Sequence, residues 1–238
     1  MRAAGRRRRA AATLLVVVAG VVAAAVQCAA PPPPEPAASS PPVAAPTTTI
    51  QAPRVSAVDA AALGASWRPG CPVPPEQLRR VTVDHLGFDQ ETHRGELIVH
   101  RDVVDEVIAI FADLHRMGYP IERMRTVERY PGADDEASMR DNNTSAFNCR
   151  RIPGSGNWAL HAYGRAIDVN PLLNPYLDSD GVQPGNAEVY LDRTRIDPGL
   201  LHDGDAAVRA FTDRGWTWGG HWRSPVDYQH FELPAAGT

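Results

Sequence analysis

Two residues able to bind a metal, His161 and Asp168, lie seven positions apart in the stretch Trp158–Pro171, which reads W-A-L-H-A-Y-G-R-A-I-D-V-N-P. Asp168 interrupts a short apolar run, Ala166-Ile167-Asp168-Val169, where a carboxylate is costly to bury unless it is paired, hydrogen-bonded or bound to a metal. A second cluster, Asp227-Tyr228-Gln229-His230-Phe231-Glu232-Leu233, lies near the C-terminus. His230 begins an alternating pattern that predicts a short strand, and Asp227 falls on the turn before it. Two histidines and a carboxylate make three ligands, and three ligands with one open position is the pattern of a catalytic zinc site, because the fourth place holds the reacting water.

The pattern His161-x-x-Gly164-x-Ala166-x-Asp168, followed about 60 residues later by Asp227-x-x-His230, resembles the zinc D-Ala-D-Ala carboxypeptidase family. That family includes the vancomycin-resistance dipeptidases and the peptidoglycan-cutting peptidases of phage lysins. The resemblance, over about Ser66 to Leu233, implies a compact α+β domain of hedgehog or D,D-peptidase type, with a small antiparallel sheet and flanking helices. It also implies Zn²⁺ held by His161, Asp168 and His230, with Asp227 as general base. An arginine upstream of the first histidine contacts the substrate in that family; Arg150 matches best by position and Arg151 is its rival. One departure is visible: where the family pattern has a serine two residues before the first histidine, this chain has Ala159, which leaves the ligands intact and bears on a neighbouring contact.

The implied reaction needs no covalent intermediate. Zinc would activate a water and polarise a peptide carbonyl, Asp227 would move the proton to the leaving amine, and Arg150 would stabilise the developing oxyanion. The polar stretch Asp141–Arg150 reads as a cleft wall offering donors to a peptide, with Ser145 and Asn148 as substrate contacts. Tyr163 and Trp218 are candidate walls for the peptide stem, core packing being the alternative for both.

The remaining chain must position and deliver this site. Of 238 residues, 43% are hydrophobic, enough for one substantial domain with extensions. All 24 basic residues are arginines and five fall within the first nine positions, which leaves 19 against 28 acidic residues, a balance of −9. That balance argues against a nucleic-acid partner. Residues 1–28 combine the basic cluster with an apolar run, Ala10–Val26, of 17 residues; this is an export signal or a retained membrane anchor, and Cys28 raises lipidation as a further route. Residues 29–65, rich in Pro and Ala, read as a disordered spacer reaching about 3 Å per residue. Residues 66–238 form the expected peptidase domain, a monomer on the outer side of the cytoplasmic membrane or in the cell wall.

Within that domain, Cys71 and Cys149 are expected to pair, as two cysteines of an exported domain most simply do. Closing a loop of about 78 residues stabilises by about 4 kcal/mol in the chain-entropy picture. A Cys149 nucleophile or ligand is the competing reading. Apolar residues at Val104, Val107, Ile108, Phe111 and Leu114 predict a core helix over 103–114, and 204–215 reads as a second helix. Short strands are expected near Leu97–Val99 and Ile121–Val127.

Three functions stay open. The first is an exported zinc peptidase acting on peptidoglycan stem peptides, as a D-Ala-D-Ala carboxypeptidase or as an L-Ala-D-Glu endopeptidase. The second is a wall-binding module that keeps the fold without catalysis. The third is a metal-stabilised structural domain, as in signalling proteins of this fold.

Overall fold

The computed structural model describes residues 50–235. The expected export segment and the spacer up to residue 49 lie outside the described residues. The described chain runs through β1 (Arg54–Ala57), α1 (Ala60–Leu63), β2 (Leu78–Leu86), β3 (Thr92–His100), α2 (Val104–Arg116), β4 (Arg123–Met124), α3 (Asp135–Arg140) and β5 (Asn143–Thr144). It continues with β6 (Ala166–Asp168), β7 (Tyr176–Asp178), β8 (Gly181–Gln183), α4 (Ala206–Thr212), β9 (Thr217–Trp218), β10 (Val226–Asp227) and β11 (His230–Glu232).

This is an α+β fold, with three three-stranded sheets where one small sheet was expected: β1-β2-β3, β10-β7-β8 and β6-β11-β9, all antiparallel, beside a parallel pair, β4-β5. The long β2–β3 hairpin supplies Val81, Val83, Leu97 and Val99 to the main core, and α2 lays Val104, Val107, Ile110, Phe111 and Leu114 into it. The helix thus turns Ile110 fully inward and leaves Ile108 only partly buried, a small rotation from the expected face. Phe211 of α4 meets Phe111 edge-on at 6.4 Å and stacks on Phe231 of β11 at 3.9 Å. Through Phe231, the main core reaches directly beneath the strand that carries His230.

Ordered structure begins upstream of Ser66. Of the expected spacer, residues 50–65 are described: β1 pairs with β2 in the register Arg54↔Thr82, and Leu63 is fully buried. The Gln51 amide donates to Asp84 Oδ2 at 2.6 Å, and Arg94 donates to the carbonyls of Gln51 and Ala52. Backbone pairing with residues 22–28 positions downstream, and side-chain hydrogen bonds with Asp84 and Arg94 further on, hold this stretch and are invisible in local composition. A smaller core of Leu63, Val73, Leu78, Ile98, Phe147 and Cys149 lies beside it, and the Cys71–Cys149 disulfide joins that core with Cα atoms 5.9 Å apart. The disulfide takes Cys149 out of consideration as nucleophile or ligand. No helix among the described residues is long and apolar enough to cross a membrane.

Candidate metal centre

Each feature of the first motif has a local reason. Leu160–Tyr163 is a single 3₁₀ turn that ends at Gly164, whose φ is +68°. A side chain there would put Cβ 2.6 Å from the His100 amide nitrogen, so glycine alone lets the chain reverse tightly enough to pack against β3. The Gly164 carbonyl accepts from that same amide at 2.8 Å. The reversal feeds β6, where Asp168 pairs across to His230 in the register His230↔Asp168, Phe231↔Ile167. Since strand side chains alternate, His230 and Asp168 share one face while Phe231 and Ile167 go into the core on the other.

Three buried side chains therefore converge. His161 Nε2 lies 3.2 Å from Asp168 Oδ2 and 3.1 Å from His230 Nδ1, and His230 Nδ1 lies 3.1 Å from Asp168 Oδ1. Tetrahedral zinc with bonds near 2.0–2.1 Å separates neighbouring donors by about 3.3 Å, and these spacings, which run to the two different oxygens of Asp168, are close to that value. The opposite nitrogen of each imidazole is already engaged: His161 Nδ1 with the Ala146 carbonyl at 2.5 Å, His230 Nε2 with Glu232 Oε2 at 3.0 Å. Each ring so held offers its remaining lone pair to the centre. The group His161, Asp168 and His230 could hold a metal ion, and it emerges as such a group among the described residues.

Asp227 stands beside this triangle, its Oδ2 4.0 Å from His230 Nδ1 and its Oδ1 buried without a partner. It occupies a two-residue strand paired with β7, in the register Asp227↔Tyr176, where a turn was expected; Gly219 admits it, since a Cβ there would meet the Asp227 carbonyl at 2.6 Å. Burial pushes the Asp227 carboxyl up to about 6, the nearby histidines pulling it down and the Asp168 charge adding to the rise. Burial works against a charge on His230, yet hydrogen bonds to Asp168 and Glu232 outweigh it and raise the imidazole to about 10. Asp168 goes the other way: burial opposes its ionisation, but His161 and His230 hold it well below the usual carboxylate range.

The segment after β5 forms one wall of the centre, though not in the expected way. Residues 142–149 are buried throughout, and their polar groups serve the protein itself. Ser145 exchanges both backbone hydrogen bonds with Asp168, and the Asn148 amide donates to the Ala133 carbonyl and to Asp135 Oδ1. Asp135 in turn forms an ion pair with the half-exposed Arg150. Arg151 lies over the Trp158 ring at 4.1 Å.

Trp218 is a core residue, 2% exposed, with its indole N–H donating to the Tyr228 carbonyl, and Tyr163 packs against the smaller core. The packing alternative describes the surroundings of Trp218, which is buried in the main core, and the half-buried Tyr163 has the smaller core on one side. Two neighbours escaped the sequence reading, Glu232 and Trp222, whose ring lies 5.3 Å from that of His230. Glu232 had a signal: two residues after His230 on a predicted strand, it must share that histidine's face.

A mixed α+β domain thus carries a buried His-Asp-His group that could hold a metal ion, beside a carboxylate with one unpartnered oxygen. Residues 153–233 match the model of a peptidase family described as D-alanyl-D-alanine carboxypeptidase. The matched segment carries His161, Asp168, Asp227 and His230, whereas Ser145, Asn148 and Arg150 precede it. No curated protein and no solved structure matches the chain.

Proposed function

We propose that the protein is an exported zinc peptidase that hydrolyses peptidoglycan stem peptides, with the specificity of a D-Ala-D-Ala carboxypeptidase. The observation that carries the reading is the triangle of His161 Nε2, Asp168 and His230 Nδ1, with donor separations of 3.1–3.2 Å. The family match to 153–233 supports the peptidase class, and a wall substrate is consistent with the basic, then apolar, then proline-rich N-terminal sequence. A zinc ion held by these residues supplies Lewis acidity toward a peptide carbonyl and an activated water.

The other steps belong to this chain's side chains. Asp227, with Oδ1 unpartnered and its carboxyl raised to about 6, accepts a proton from the attacking water and returns it to the leaving amine. Arg150, steadied by Asp135, offers its guanidinium to the substrate from the segment after β5 that also supplies the Ala146 carbonyl. The Ala146 carbonyl and Glu232 keep the two imidazoles oriented.

The test is metal content of the purified chain, together with mass spectrometry of muropeptides before and after incubation. About one zinc per chain with loss of a single terminal alanine is the expected result. A fragment beginning at D-Glu would assign the endopeptidase specificity instead. Zinc without cleavage would favour a wall-binding module, and absence of bound zinc would overturn the site.

A further inference from the structure

The two imidazoles of the centre present opposite nitrogens, His161 through Nε2 and His230 through Nδ1, and their outward nitrogens are held by different kinds of acceptor. For His161 the acceptor is the main-chain carbonyl of Ala146, which no substitution removes. For His230 it is a side chain, Glu232, two residues along β11. The strand's rotation is set beneath it by Phe231, clamped between Phe211 at 3.9 Å and Trp218 at 6.4 Å. His230 and Glu232 therefore stand side by side on the same face, and the contact at 3.0 Å follows from the strand period. An imidazole turned by half a revolution about its Cβ–Cγ bond would bring Cδ2 to the centre in place of Nδ1 and carry Nε2 away from Glu232; an acceptor fixed on Nε2–H disfavours that orientation.

We propose that Glu232 is the positioning residue of this centre, holding His230 with Nδ1 toward Asp168 and His161 so that the cation site is formed before the cation arrives. The inference rests on the metal-site reading above. Acceptors of this kind on a ligand histidine typically affect metal affinity by about 10–100-fold. Glu232 is well suited to testing, since its side chain is 22% exposed and its truncation leaves no sealed cavity.

The experiment titrates the metal-free full chain with Zn²⁺ against a competing chelator, for the wild type, Glu232→Ala, Glu232→Gln and Glu232→Asp. Glu232→Ala should bind zinc about 10–100-fold more weakly while its metal-free thermal melting stays close to that of the wild type. Glu232→Gln, whose amide oxygen still accepts from Nε2–H, should recover most of the affinity. Glu232→Asp keeps the charge but falls short of the ring, so it should behave like Glu232→Ala and serves in its place if the alanine variant does not fold. Unchanged affinity in Glu232→Ala and Glu232→Asp, or Glu232→Gln as weak as Glu232→Ala, would overturn the positioning role. A wild type that binds no zinc fails the metal-site reading itself, a different result from a wild type that binds zinc indifferently to residue 232.

Discussion

Asp227 should lower the stability of the metal-free protein at neutral pH, and Asp227→Asn should relieve that cost. Its carboxyl is buried beside the Asp168 charge and is pushed from an ordinary value of 3.8 up to about 6. An acid whose folded pKa lies above its unfolded one stabilises the fold fully below the unfolded value, and that stability is lost as pH rises through the folded value. The window is therefore pH 4 to 6. A displacement of about two pKa units corresponds to about 3 kcal/mol at order-of-magnitude precision. The stability difference between Asp227→Asn and wild type, measured by urea unfolding in chelator, should accordingly shift in favour of the variant by about 3 kcal/mol between pH 4 and pH 7. In a domain of this size that corresponds to roughly 6–12 °C in Tm. The same variant should keep its zinc and lose peptide hydrolysis. A stability difference that stays flat across pH 4–7 would refute the burial argument, and loss of zinc would assign Asp227 to the metal's own ligands.

Gly164→Ala should destabilise by about 1–3 kcal/mol, because the new Cβ meets the His100 amide nitrogen at 2.6 Å in a left-handed conformation; the urea midpoint reads this directly. Ala159→Ser should stabilise by about 0.5–1 kcal/mol, since residue 159 caps the 3₁₀ turn bearing His161 without any side-chain hydrogen bond, and zinc affinity should not fall. This gives the serine of the family pattern a structural meaning, the cap of the ligand's turn. Replacing Cys71 and Cys149 together by serine should cost about 3–4 kcal/mol in thermal unfolding while leaving the zinc stoichiometry intact, because neither sulfur belongs to the triangle.

The residues of the candidate centre were legible in the sequence because a group able to hold a metal demands particular side chains, and a carboxylate inside Ala166–Val169 needs a partner wherever the chain goes. The α2 helix was legible for a similar reason, since its 3.6-residue apolar period reports its own buried face. Pairing of Cys71 with Cys149 followed from there being two cysteines in the domain. What the tertiary structure decided is everything set by residues distant in the chain. The His230↔Asp168 register joins strands 62 residues apart in sequence and brings the donors to 3.1 Å. The polarity of 141–150 suggested a wall facing a peptide, yet Asn142, Asn143, Thr144 and Asn148 spend their polar groups on internal partners, a choice that local composition does not encode. Trp218 looked equally suited to a cleft or a core, and the stacking of Phe231 and the Tyr228 carbonyl decided for the core. A sequence names the side chains that could hold a metal, but which nitrogen of each imidazole faces inward depends on what the other nitrogen meets, and only the folded chain supplies Ala146 and Glu232 for that purpose.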